Sequence, residues 1–192
     1  MRNFPQIGTL LLALGGNKDG TWGGPRSTLA RACAALERGG VHILAVSHLY
    51  ETDPAGSGRQ RPYLNAVIVA RCNLAPGRLL RLAKQIERSA GRRSTPPMQS
   101  RPLDIDILDH GGRQLNWPAI GPRQRGRLIL PHPLMHGRGF VLVPLMEVAP
   151  HWSHPVLGRR AKALLAARWM GRRCGVRQAL DFHIHACEKA AR

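Results

Sequence analysis

The stretch Arg101-Pro102-Leu103-Asp104-Ile105-Asp106-Ile107-Leu108-Asp109 sets three acids in an apolar run. The chain has 192 residues with 11 Asp+Glu against 29 Lys+Arg, so carboxylates concentrated here are not ordinary solubilising groups. Read as a β-strand, the run puts Leu103, Ile105 and Ile107 on one face and Asp104 and Asp106 on the other, roughly 6–7 Å apart. Like charges at that distance repel unless a cation lies between them, and hard oxygen donors on a rigid strand suit Mg²⁺. The plainer alternative for the acid pair is an exposed strand edge. Asp109 is expected simply to end the strand.

Working outward, the elements before this strand decide the fold class. Gly8 to Leu14 is a short apolar run bounded by turn residues, which suits a buried strand. Gly15-Gly16-Asn17 follows as a strand-exit turn, since neither a GKS/GKT nor a GxGxxG pattern accompanies it. Pro25 opens a helix whose Leu29, Ala32, Cys33 and Leu36 repeat at helical spacing until Gly39-Gly40 stops it. Val41 to Tyr50 and Tyr63 to Cys72 are β-rich and are joined by the polar loop Glu51 to Pro62. Pro76 then opens a second helix, with Leu79, Leu80, Leu82, Ala83 and Ile86 on its apolar side and Gly91 at its end. The order β-α-β-β-α-β predicts an α+β, ferredoxin-like sheet core. Phe140 to Leu145 and Ala161 to Met170 add helical cover, giving three α/β/α layers. A single domain over 1–170 is expected, followed by a basic tail over 171–192, where Gly171 to Arg192 is the least readable part.

The formal charge of +18 suits a polyanionic partner: nucleic acid, an anionic membrane or a phosphate-rich small molecule. Residues 159–192 hold nine Lys/Arg and two acids, so part of the excess belongs to the tail. Cys33, Cys72, Cys174 and Cys187 have neither CxxC spacing nor the density of a disulfide scaffold, and read as reduced. The apolar run Leu10 to Leu14 is too short for a membrane span and lacks a cleavage site. A soluble, cytoplasmic protein without membrane association is expected.

A basic loop, Arg92 to Pro102, feeds the acid strand directly. Carboxylates holding Mg²⁺ and arginines clamping phosphate oxygens together point to a polyphosphate, with ATP the obvious one. Arg92, Arg93, Arg101, Arg127 and Arg138 are the candidate clamps in the absence of a Walker-type lysine loop. His132, between two prolines, is either a hydrogen-bonded loop residue or a phosphate or ribose contact. Tyr63 and Asn65 share a strand face and could hold a flat heterocycle. His183, His185 and Cys187 resemble a metal tract but sit in a polar terminus, where chance explains them.

These residues also carry a resemblance. Ala13-Leu14-Gly15-Gly16-Asn17, Ser47-His48-Leu49-Tyr50-Glu51-Thr52-Asp53-Pro54, Pro62-Tyr63-Leu64-Asn65-Ala66, Gln85-Ile86-Glu87, Gly91-Arg92, the acid strand, and Leu130-Pro131-His132-Pro133 through Leu142 occur in unbroken order. Over about residues 8 to 165 the chain resembles the hydroxymethyldihydropterin pyrophosphokinases of folate biosynthesis. The resemblance implies transfer of an intact pyrophosphoryl group from ATP to the hydroxymethyl group of 6-hydroxymethyl-7,8-dihydropterin, with release of AMP. It implies two Mg²⁺ ions held by Asp104 and Asp106. By the same likeness Thr52, Pro54, Ala55, Tyr63, Asn65 and Phe140 line the pterin pocket. Leu80, Ile107, Arg127, His132 and Arg138 match ATP-side positions, and Arg92 and Arg101 match loop arginines that stabilise the transferring charge.

The sequence departs from many relatives in the basic loop, where Met98, Gln99 and Ser100 replace a tryptophan, glycine and proline. Lys84 stands where some have glutamine, Ile129 where some have threonine, and Asp53 where some have proline. Two other classes suit the same topology: a palm-type nucleotidyltransferase and an RNA-binding module. Tyr63, Asn65 and Phe140 beside the acids weigh against the first, and only nine aromatic residues weigh against the second. No nucleic-acid partner is expected, and a monomer is expected.

Overall fold

The strand β1 (Leu10–Gly16) lies between β4 (Tyr63–Arg71) and β5 (Asp104–His110), antiparallel to both. The computed structural model describes residues 8–54, 60–93, 99–117, 127–169 and 175–182. On the far side of β4 lie β2 (His42–Val46) and β3 (Leu49–Thr52), two halves of one broken strand. Counting that pair as one, the sheet order is that of the ferredoxin-like fold. The β-α-β-β-α-β expectation therefore holds.

Two helices cover one face. α1 (Pro25–Arg38) begins with proline in its first turn and buries Leu29, Ala32, Cys33 and Leu36. α2 (Pro76–Ser89) begins the same way and buries Leu79, Ala83, Ile86 and, unusually, Glu87. Their partners in the sheet are Leu10, Leu12, Leu14, Ile68, Ile105 and Ile107. α3 (Gly139–Val148) and α4 (Ala161–Trp169) cover the other face through Leu142, Leu145 and Leu164 against Leu11, Val67, Val69 and Leu108. Each leucine sealed in these layers is worth roughly 2 kcal/mol over an exposed one, enough to fix which strand face turns inward.

Two irregularities position the site. Between Leu12↔Ile107 and Leu11↔Asp109 the register shifts, so Leu108 is an extra residue in β5. In such a bulge two successive residues oppose one, and Leu108 and Asp109 both turn to the α3/α4 side. Asp109 does not end the strand. It is 2% exposed and its carboxylate accepts Trp152 Nε1–H at 2.9 Å and the Gly112 N–H at 3.0 Å. The Leu108 carbonyl accepts the His132 N–H at 2.8 Å, which brings His132 to the acid strand.

The second irregularity is the break after β2, expected as continuous strand. Ser47 fills it, its hydroxyl accepting the Val67 N–H at 3.0 Å and donating to the His48 carbonyl at 2.8 Å. Glu147 of α3 accepts the His48 N–H and, at 2.8 Å, the Tyr50 hydroxyl. Burial and that carboxylate push the Tyr50 phenol up to about 12.

Gly15 and Gly16 are the last residues of β1 rather than an exit turn. Within the least readable stretch, β6 (Val176–Leu180) adds a strand to the free edge of β3. Asp53 N–H donates to the Gly175 carbonyl at 2.9 Å, and Arg177 pairs with Asp53 and Glu51. Part of the segment drawn as a basic tail is thus attached to the sheet beside Thr52.

Candidate active site

Four strand residues define the floor of the site. Gly15 is in register with Asn65 on one side and Asp104 on the other, and Tyr50 pairs with Asn65 beyond. The row Tyr50, Asn65, Gly15, Asp104 therefore runs across the sheet on one face. Glycine leaves room in the middle: a Cβ at Gly15 would stand 2.7 Å from Asn65 Oδ1, and one at Gly16 only 2.3 Å from the Pro102 carbonyl oxygen. Asn65, 8% exposed, donates from Nδ2 to the Thr52 hydroxyl at 2.8 Å.

The two acids keep separate cationic partners. Asp104 is bound by the Arg92 guanidinium and by Arg101 Nη1 at 2.9 Å. Asp106 faces Arg138 Nη1 at 3.4 Å and His132 Nε2 at 3.8 Å. Burial alone would raise the Asp104 carboxyl, but Arg92 and Arg101 outweigh it and hold the group below the usual carboxylate range. His132 is pushed down by burial and by Arg138, against the pull of Asp106, so it rests as neutral imidazole. The Arg138 guanidinium carbon also lies 5.5 Å from the centre of the Phe140 ring, which orients both at the start of α3.

Behind the acids stands Glu87, 1% exposed. Its carboxylate accepts the Ile105 N–H at 2.8 Å and pairs with Arg92 at 2.7 Å and Lys84 at 2.9 Å. Burial raises its pKa while these partners pull it down, and the net direction is up. Lys84, one of the departures in sequence, therefore touches the carboxylate that steadies the acid strand and not the acid pair itself.

A second buried residue, Asn17, joins the two loops that border the site. It is 1% exposed. Its backbone N–H donates to the Arg101 carbonyl and its Oδ1 accepts the Arg101 N–H, both at 3.0 Å. Its Nδ2 donates to the Arg61 carbonyl at 3.0 Å and to the Ser100 hydroxyl at 3.2 Å. The Ser100 hydroxyl in turn donates to Gln60 Oε1 at 3.2 Å, and the Tyr63 hydroxyl donates to the Gln99 carbonyl at 3.0 Å. Ser100 through its hydroxyl and Gln99 through its backbone carbonyl thus supply polar links at this side of the site.

Of the residues marked in sequence, Asp104, Asp106, Arg92, Arg101, His132, Arg138 and Phe140 converge at one end of β5 and α3. Asn65 and Thr52 meet two strands away, with Pro54 half-buried just beyond. Ile107 is buried and Leu80 half-buried in the core beneath α1 and α2, while Arg127 and Arg93 are exposed. Ala55, His183, His185 and Cys187 lie outside the described residues. Glu87 and Asn17 were quoted only as parts of motifs. An acid on the inner side of α2 was the available signal for Glu87, and an asparagine directly after a glycine pair was the signal for Asn17.

The donor set fits a hard divalent cation. Two partly exposed carboxylates on one strand face supply oxygen ligands, each beside an arginine. No group of three or more His, Cys, Asp or Glu side chains suited to a metal occurs among the described residues, so further ligands would come from substrate or water.

A ferredoxin-like sheet with a carboxylate pair inside a ring of guanidinium groups defines a class: transferases that handle phosphoryl groups. The chain belongs to the 7,8-dihydro-6-hydroxymethylpterin-pyrophosphokinase family, whose model matches residues 11–150. It is 39% identical over 147 residues to a 2-amino-4-hydroxy-6-hydroxymethyldihydropteridine pyrophosphokinase of Porphyromonas gingivalis, covering 75% of this chain and 92% of the relative. The pyrophosphokinase of the same name from Bacillus subtilis is 38% identical over 139 residues, covering 71% of this chain and 75% of the relative. Among solved structures, an HPPK-DHPS of Plasmodium falciparum with pteroate shares the fold at a TM-score of 0.62 and 16% identity, over 83% of this chain. This chain spans 42% of that longer protein. No helix among the described residues is long and apolar enough to cross a membrane.

Proposed function

We propose that the protein transfers the pyrophosphoryl group of ATP to the hydroxymethyl oxygen of 6-hydroxymethyl-7,8-dihydropterin. A bond forms from that oxygen to the β-phosphorus, the bond from the β-phosphorus to the α,β-bridging oxygen breaks, and AMP leaves with the bridging oxygen. The hydroxyl proton passes to solvent. The observation that supports this best is the pairing of Asp104 and Asp106 on one strand face, Asp104 set against Arg92 and Arg101 and Asp106 against Arg138 and His132, beside Asn65.

Asp104 and Asp106 would hold two Mg²⁺ ions. When bound, Mg²⁺ neutralises phosphate oxygens and fixes the donor against the acceptor. Arg92 and Arg101 converge on Asp104, and their forks would bind oxygens of the transferring group. Arg138, His132 and exposed Arg127 would take the ATP side, with Leu80 and Ile107 closing its apolar wall. Thr52, Pro54, Ala55, Tyr63, Asn65 and Phe140 would enclose the pterin, Asn65 reading its hydrogen-bonding edge. The hydrogen bonds from Asn17 to Arg61, Ser100 and Arg101 tie together the described ends of the two loops, and closure of those loops would exclude water from the donor. Residues 1–170 would form the catalytic domain, acting as a monomer in the cytoplasm.

The test is direct. Purified protein, ATP, Mg²⁺ and the reduced hydroxymethylpterin should give AMP only when the pterin is present. ADP as the main nucleotide product, or equal AMP without pterin, would overturn the assignment.

A further inference from the structure

The site does not account for the charge of +18. Arg92, Arg101 and Arg138 each face a carboxylate, whereas a second set of arginines faces none. Arg31 and Arg38 lie two turns apart on the outer side of α1, and Arg78, Arg81 and Arg88 share the outer side of α2. All five are exposed, and none of their side chains makes an ion pair or hydrogen bond among the described residues.

These residues form one surface. α1 and α2 pack side by side on the same sheet face, with Gly39 at the end of α1 tight against Leu82 of α2. Glu37 is the single acid of α1, and Glu87, the single acid of α2, is buried. A helix pair separated by about 8–10 Å, with arginines spread over about 15 Å of α2, presents guanidinium groups at spacings that can track a phosphate backbone. The patch lies on the sides of α1 and α2 turned away from the sheet, whereas Asp104 and Asp106 lie on the sheet face opposite Ile105 and Ile107.

The chemistry of the patch selects among polyanions. Among the described residues the exposed large apolar side chains are Leu115, Leu134 and Leu157, none on α1 or α2, so this helix face lacks the anchors of a protein interface or of membrane insertion. Neither helix has an aromatic residue on which an unpaired base could stack. Five guanidinium groups with no apolar or aromatic company suit phosphates held in a regular array. We propose that the outer face of α1 and α2 binds the phosphate backbone of a nucleic-acid duplex without sequence preference. The proposal stands apart from the pyrophosphokinase reading, since the arginines and the acid pair lie on different faces of the molecule.

The experiment compares two charge-matched triple variants of the full chain. One is Arg31→Gln/Arg78→Gln/Arg81→Gln. The other is Arg113→Gln/Arg160→Gln/Lys162→Gln, exposed cations away from the two helices. Glutamine is a good helix former, and retained AMP formation and circular dichroism report that each variant is folded. Binding of a short fluorescein-labelled DNA duplex is followed by anisotropy from about 50 to 200 mM salt. The helix variant should bind at least about tenfold more weakly, with a salt slope shallower by about two to three. The control variant should keep the wild-type slope. Equal weakening by both triples would assign the effect to net charge and overturn the proposal. So would wild-type binding by the helix variant, or tighter capture of the wild type by phosphatidylserine vesicles than by duplex at equal salt.

Discussion

Glu87 Oε1 accepts the backbone N–H of Ile105 at 2.8 Å, and Ile105 is the residue that separates Asp104 from Asp106. The same carboxylate holds Arg92 at 2.7 Å. One buried group on α2 therefore sets both the height of the acid strand and the guanidinium that faces it. Glu87→Gln keeps an acceptor for Ile105 but removes the charge from Arg92 and Lys84. It should lower kcat by about 10- to 100-fold at a modest cost in Tm. Glu87→Leu, which leaves the Ile105 N–H unpaired, should cost about 2–4 kcal/mol in denaturant titration. A Gln variant with wild-type kcat would confine Glu87 to a structural role.

Replacing the acids themselves should separate chemistry from folding. The side chains of Asp104 and Asp106 are 28% and 31% exposed, so their ion pairs are partly screened and contribute little to stability. Asp104→Asn and Asp106→Asn should each lower turnover by about a thousandfold while Tm moves by only a few degrees. Retention of activity in either variant would place the metal elsewhere.

Gly15 predicts a selective defect. A Cβ there would stand 2.7 Å from Asn65 Oδ1, so Gly15→Ala must push the Asn65 side chain away from Thr52. The displaced group is the end of a side chain, so the fold should survive. The expected signature is a KM for the pterin raised about tenfold or more with the KM for ATP nearly unchanged. Equal rises in both would mean that the strand itself has moved.

The fold was legible because its signals are local. Pro25 and Pro76 at helix starts, Gly39 at a helix end and the spacing of Leu29, Cys33 and Leu36 each name an element without reference to the rest of the chain. The acid pair was legible for a similar reason, since alternation alone puts Asp104 and Asp106 on one face. What the sequence could not give were features made by two distant segments at once. The bulge at Leu108 exists because Leu11 and Leu12 impose a register on β5, and that bulge turns Asp109 inward to Trp152. Gly15 reads as turn punctuation until Asn65 and Asp104 are known to flank it. β6 has a weak pattern of its own and becomes a strand by pairing with the edge of β3.

His154 predicts how stability depends on pH. It is 1% exposed and surrounded by the Trp117, Trp152 and His136 rings at 5.4, 5.7 and 6.0 Å between centres. Its Nδ1 accepts the Val156 and Leu157 N–H groups at 3.3 and 3.2 Å, so protonation there would set donor against donor. Burial first, and His136 second, lower its pKa to about 4. The folded value lies below the unfolded one, so the unfolded chain binds the extra proton. Stability is therefore fully present above about pH 6.5 and falls as pH drops toward 4, by up to about 3 kcal/mol. Thermal melts between pH 7 and pH 4.5 should show the loss. His154→Asn, whose Oδ1 can accept the same N–H groups without titrating, should flatten that part of the curve. An unchanged curve would assign the acid sensitivity to other groups.

Asn17 predicts coupled loop motion. Its side chain holds the Arg61 carbonyl, the Ser100 hydroxyl and the Arg101 N–H at once, so segments distant in sequence share one fastening. Asn17→Ala leaves the Arg101 N–H and the Arg61 carbonyl without that partner and opens a small polar cavity. A loss of about 2 kcal/mol in stability is expected. The sharper consequence is dynamic. Amide hydrogen exchange should quicken around Gln60–Pro62 and around Gln99–Leu103 in the same variant, while α1 and the middle of β4 keep their protection. Asn17→Asp keeps the acceptor for Arg101 but loses both donors, so it should release the Gln60–Pro62 segment more than the Gln99–Leu103 segment. Acceleration of one segment alone in Asn17→Ala would show that the loops move independently. In that case Asn17 anchors Arg101 without coupling it to the Tyr63 side.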